Sequence, residues 1–118
     1  MTNKEESLNK FNGLWTVEFI STINRTGKGV LVLYNQRLFG GDSAYYYSGN
    51  YEINNDKIRG NIIVIRHDPI GISVFGDMGS FKLSLEGEVD NLHFSAVATI
   101  PNMPNLKIRV VGNKKEEF

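Results

Sequence analysis

The stretch Tyr47-Ser48-Gly49-Asn50-Tyr51-Glu52-Ile53-Asn54-Asn55-Asp56-Lys57-Ile58-Arg59-Gly60-Asn61-Ile62-Ile63-Val64 decides the fold. With Asn55-Asp56 as a two-residue turn, Ile53 faces Ile58, Tyr51 faces Gly60, Gly49 faces Ile62 and Tyr47 faces Val64. The opposite face pairs Glu52 with Arg59 and Asn50 with Asn61. One face is apolar, the other is polar, and an opposite-charge pair falls in register. A slip of one residue would carry every side chain to the wrong face. Asn and Asp tolerate the positive φ that so tight a turn requires. The segment is therefore a β-hairpin.

Working outward, the same reading applies to Phe81–Ile100 with a turn at Asp90-Asn91. Val89 then faces Leu92, Gly87 faces Phe94, Leu85 faces Ala96, Leu83 faces Ala98 and Phe81 faces Ile100. Outside, Glu88 pairs with His93 and Lys82 with Thr99. Both hairpins set an aromatic ring against a strand glycine, a device found where sheets curve. Gly13 to Thr22 alternates Trp15, Val17 and Phe19 with Thr16 and Glu18. Asn24-Arg25-Thr26-Gly27 reads as a turn cluster. Strands over Lys28–Tyr34, Arg37–Phe39 and Leu106–Val111 complete the set, the last following a Pro101–Pro104 turn. The apolar period is two throughout. Short antiparallel strands joined by short turns predict an all-β, seven- or eight-stranded up-and-down barrel. Residues 67–80 are the exception, a glycine-rich crossing with room for one helical turn. Residues 1–11 and 113–118 read as polar tails flanking a single domain over 12–112.

The bulk composition narrows the function classes. A chain of 118 residues suffices for one domain. Lys+Arg and Asp+Glu balance at 13 each, which removes the basic footprint of a nucleic-acid binder. A neutral surface protects weakly against self-association, so a homodimer is expected, with outward Ile63, Ile65 and Val97 as candidate contacts. There are no cysteines, which removes thiolate chemistry and Cys-based zinc sites and points to the cytoplasm. The first ten residues have no apolar core, so no signal peptide is expected. No apolar run reaches the length of a membrane helix.

Few residues suggest chemistry. His67 and Asp68 could form an acid–base pair or contribute a metal ligand; a strand-end cap is the preferred reading. His93 is expected on a solvated face. Asp42, after Gly40-Gly41, reads as an Asx turn or as a contact at the barrel mouth. Asp77, within Val74–Gly79, is read in the same way. Neither glycine cluster opens a helix, which argues against a phosphate cradle. No catalytic residue, metal or cofactor is expected. The rings Trp15, Phe19, Tyr45, Tyr47, Tyr51, Phe81 and Phe94 point inward. They either fill the core or wall a pocket for an apolar or lipid-like small molecule.

Gly13-Leu14-Trp15 resembles the Gly-x-Trp that opens the first strand of lipocalin-like calycins. A wider match runs through Gly13–Ser21, Gly27-Lys28-Gly29-Val30-Leu31, Gly40-Gly41-Asp42 and Tyr47-Ser48-Gly49-Asn50-Tyr51. These segments are similar to the GrlR family, best over residues 13–67. The family's founding member is a negative regulator of type III secretion in enteric pathogens. The resemblance implies a calycin-like barrel that dimerises and sequesters a transcriptional activator. That member carries a run of acidic residues on an exposed loop that binds its activator. Here the matching hairpin reads Ile53-Asn54-Asn55-Asp56-Lys57, with one acid and a lysine. The resemblance therefore implies the fold and a protein partner, but not that particular partner.

Overall fold

The computed structural model describes residues 10–22, 26–68, 79–101 and 103–118. Eight strands run in chain order: β1 (Gly13–Ser21), β2 (Thr26–Tyr34), β3 (Arg37–Gly41), β4 (Tyr45–Asn54), β5 (Lys57–Arg66), β6 (Phe81–Val89), β7 (His93–Ile100) and β8 (Met103–Glu117). Each pairs antiparallel with the next, and β8 returns to β1 to close the barrel. The expected up-and-down barrel is the observed one, with eight strands and no helix among the described residues. Closure removes the unpaired strand edges that an open sheet of this length would expose.

Alternation sends one residue in two inward. Trp15, Val17, Leu33, Leu38, Tyr45, Ile58, Val64, Leu85, Ala98 and Ile108 are all buried, and with their neighbours they make one continuous core. Each large aliphatic or aromatic side chain buried in this way contributes about 1.5–3 kcal/mol. The β4–β5 register is the expected one at every pair, from Tyr47↔Val64 to Ile53↔Ile58. Asn55 takes the positive φ of 58° that the tight turn requires. A second tight turn, at Asn35 and Gln36 with φ of 50° and 68°, joins β2 to β3.

The β6–β7 register corrects the expectation. Val89 pairs with Phe94, Gly87 with Ala96 and Leu85 with Ala98, a slide of two residues. Neither Asp90 nor Asn91 takes a positive φ. Instead the Asp90 carboxylate accepts the backbone N–H of Leu92 and of His93, both at 2.9 Å, and props open a longer loop. Glu88 consequently lies opposite Ser95, and His93 sits 3.5 Å from Asp90. A slide of two keeps every residue on its expected face. The ring over glycine survives with a different partner: Phe94 lies against Gly112 of β8, where any Cβ would strike the ring.

Both tail boundaries also move. Phe11 is buried, and its carbonyl accepts the Trp15 indole N–H at 3.1 Å. At the other end, β8 runs through the expected tail to Glu117, paired with Gly13 and Leu14. Lys115, Glu116 and Glu117 are exposed, so hydropathy gave no sign of a strand held by its backbone ladder. Lys114 pairs with Trp15, and its nearly buried side chain donates to the Lys10 carbonyl at 2.8 Å, bolting the segment before β1 to β8. Thr26 and Gly27, expected in a turn, begin β2. Residues 69–78, with the expected helical turn and Asp77, lie outside the described residues.

Candidate functional site

Three places could carry function: the barrel interior, the rim where β3 turns into β4, and the outer wall. All seven rings expected to point inward are buried: Trp15, Phe19, Tyr45, Tyr47, Tyr51, Phe81 and Phe94. Six of the seven pack in pairs instead of surrounding a space. Trp15 and Phe94 have centroids 5.5 Å apart, Phe19 and Tyr47 5.8 Å, and Tyr45 and Phe81 5.9 Å. The cavity between Phe19, Tyr47, Leu38, Leu85 and Ala98 measures only about 30 Å³. That is room for about one water, whereas small-molecule sites span roughly 300–1,000 Å³.

At the rim, Asp42, Tyr47, His67 and Asp68 come together although up to 26 residues separate them. One oxygen of Asp42 accepts the N–H groups of Ala44 (2.8 Å) and Tyr45 (2.9 Å), which is the Asx-type turn. Its other oxygen accepts the Tyr47 hydroxyl. Burial first, and then Asp42, push the Tyr47 phenol far above its ordinary range, so it stays a protonated donor. His67 Nε2 lies 3.0 Å from the Asp42 carbonyl, and the N–H groups of His67 and Asp68 both donate to the Ala44 carbonyl. Both Asp42 carboxylate oxygens are thus committed to closing the β3–β4 turn onto β4, while the Asp42 and Ala44 carbonyls tie that turn to the end of β5. This is a latch that orders the rim, and no group in it is arranged as a nucleophile with its base. Among the described residues no three His, Asp or Glu side chains cluster as metal ligands.

Tyr51 contrasts with Tyr47. Its hydroxyl is buried without a partner at hydrogen-bond geometry. Burial raises it above the ordinary range, with the Gln36 backbone opposing.

The outer wall is where the sequence reading fell short. Register aligns Leu14, Val32, Phe39, Ser48 and Ile63 in one outward row across β1–β5. The next row holds Thr16, Val30, Gly41, Tyr46 and Ile65. These ten neighbouring positions contain no charge. Val30, Phe39, Tyr46 and Ile63 keep 42–47% of their surface exposed. Of the three expected contacts, Ile63 and Ile65 belong to this wall. Val97 does not; it sits on β7 between Glu86 and Arg109. Period two marked these residues as outward, but only the pairing of β2 with β3 and β3 with β4 shows that they are contiguous.

No family model matches the chain, and no curated protein matches it.

Proposed function

We propose that this protein is a non-enzymatic binding module, a cytoplasmic regulator that acts by contact with another protein through the outer wall of β2–β5. The observation that carries the reading is the uncharged double row centred on Phe39, Tyr46 and Ile63. A closed barrel with a complete core does not need apolar side chains outside. Contiguous exposed apolar surface on a soluble domain marks a contact face. The GrlR-like segments support the same role: a homodimer whose partner is a transcriptional regulator, in the manner of negative regulators of type III secretion. The wall serves a second copy when no other partner is present. The absence of cysteines supports the cytoplasm. The rival reading, an apolar small molecule inside the barrel, gains nothing from an interior filled by paired rings.

The test is affinity capture from the host's own lysate. Wild type should retain a stoichiometric partner that Phe39→Glu/Ile63→Glu loses while its melting curve is kept. Native mass spectrometry showing one small molecule per barrel would favour the rival.

A further inference from the structure

We infer that the groove across the outer face of β3–β6 binds an extended acidic segment of the partner, held between Arg37 and Lys82. The inference rests on the proposed protein-binding role and specifies the chemistry of what binds.

The groove adjoins the apolar wall at Ile63 and is open to solvent, with a volume of about 620 Å³. Arg37, Asn50, Asn61 and Ser84 form one cross-strand row, with Ser48 and Lys82 in the next. The inward-facing positions Gly49, Ile62 and Leu83 reach this groove between the outward side chains. Among the described residues no carboxylate lines the groove. The neighbouring groove on β4–β6 differs: it carries Glu52, Glu86 and Glu88 beside Lys57 and Arg59. There the cations are spent, Lys57 on Glu88 at 2.7 Å and Arg59 on Glu86 at 3.2 Å.

Arg37 and Lys82 have no ion-pair partner among the described residues. Arg37 is instead held 4.9 Å above the Phe39 ring, at the junction of groove and wall. In a chain of net charge zero, two unneutralised cations in an acid-free groove create a local positive field. Such a field selects anionic partners and excludes cationic ones. Between them, Ser48, Asn50, Asn61 and Ser84 offer neutral donors and acceptors suited to a peptide backbone. Three strand spacings separate β3 from β6, about 14 Å, and an extended chain advances roughly 3.3 Å per residue. Acids four residues apart would therefore meet both cations. A nucleic acid fits less well, because phosphate-backbone binding draws on many cations and this groove supplies two.

The experiment is fluorescence anisotropy of the full chain with a labelled extended peptide carrying two glutamates four residues apart. The acidic probe should bind and weaken with salt. Arg37→Gln, Lys82→Gln and their charge reversals should each weaken it, the reversals by about tenfold. Arg109→Glu on the opposite wall should change it by less than about twofold. Failure of the acidic probe to bind, equal binding of a lysine counterpart, or equal loss in Arg109→Glu would overturn the inference. Tighter binding of a labelled oligothymidine would assign the groove to nucleic acid instead. A captured partner that needs Phe39 and Ile63 but ignores Arg37, Lys82 and salt would overturn the groove while leaving the wall's role intact.

Discussion

The outer face of β2–β5 and the outer face of β5–β8 are built by the same strand alternation and carry opposite chemistry. The first presents Val30, Val32, Phe39, Tyr46, Ile63 and Ile65 without a charge between them. The second presents the Lys57–Glu88 and Arg59–Glu86 pairs, with Lys107 and Arg109 beyond. Inward positions have no such freedom, since every strand must deliver apolar residues to one core. The fold therefore dictates only half the residues of each strand. What the other half does on each wall is a separate property, and the apolar wall is the half that folding does not explain.

Charging the apolar wall should have the largest effect. Phe39→Glu with Ile63→Glu should weaken association by about a hundredfold or more, since each central apolar anchor is worth about 2 kcal/mol. The melting temperature should hold, because neither side chain is buried in the monomer. Val97→Lys, on the charged wall, should leave association unchanged within about twofold. Equal losses from both would dissolve the distinction between the walls.

Inside the barrel, the two tyrosines of β4 allow a finer test. Tyr47→Phe leaves one Asp42 carboxylate oxygen without its partner and should cost about 1–3 kcal/mol by denaturant unfolding. Tyr51→Phe removes a hydroxyl with no partner at hydrogen-bond geometry and should be neutral or stabilising. A large loss from Tyr51→Phe would mean that its hydroxyl is satisfied after all.

Much of this was legible in the sequence, for reasons that differ from strand to strand. The β4–β5 hairpin was readable to the residue because Asn55 sits at the tightest point of a two-residue turn. At Asp90 the carboxylate, not a positive φ, shapes the loop, and turn composition does not distinguish the two. Faces survived that error because strand periodicity is even. The β8 extension was hidden because the exposed Glu116 and Glu117 are held by backbone pairing with β1, with Lys115 bulged out of the ladder. The rim latch brings Asp42 to His67 across 25 residues, a distance that local spacing does not encode. Arg37 and Lys82 were invisible as a pair until three intervening registers placed them on one groove.

The charged wall should also respond to pH at its hairpin. The N–H groups of Leu92 and then His93 hold the Asp90 carboxyl below its ordinary value of 3.8. A depressed folded value means the loop is stabilised above 3.8 and loses that support as pH falls through the lower, folded value. Amide exchange at Leu92 and His93 should quicken there, and Asp90→Asn should abolish the dependence. The two uncharged rows of the β2–β5 wall, whose only ionisable group is the Tyr46 phenol, should show no matching change. This is the smallest of the expected effects.

The most direct measurement is sedimentation velocity of wild type and Phe39→Glu/Ile63→Glu at micromolar concentration. The account predicts that wild type sediments as a pair of 13.3 kDa chains and that the variant sediments as a single folded chain. A wild type that stays monomeric, or a variant that still pairs, would contradict it.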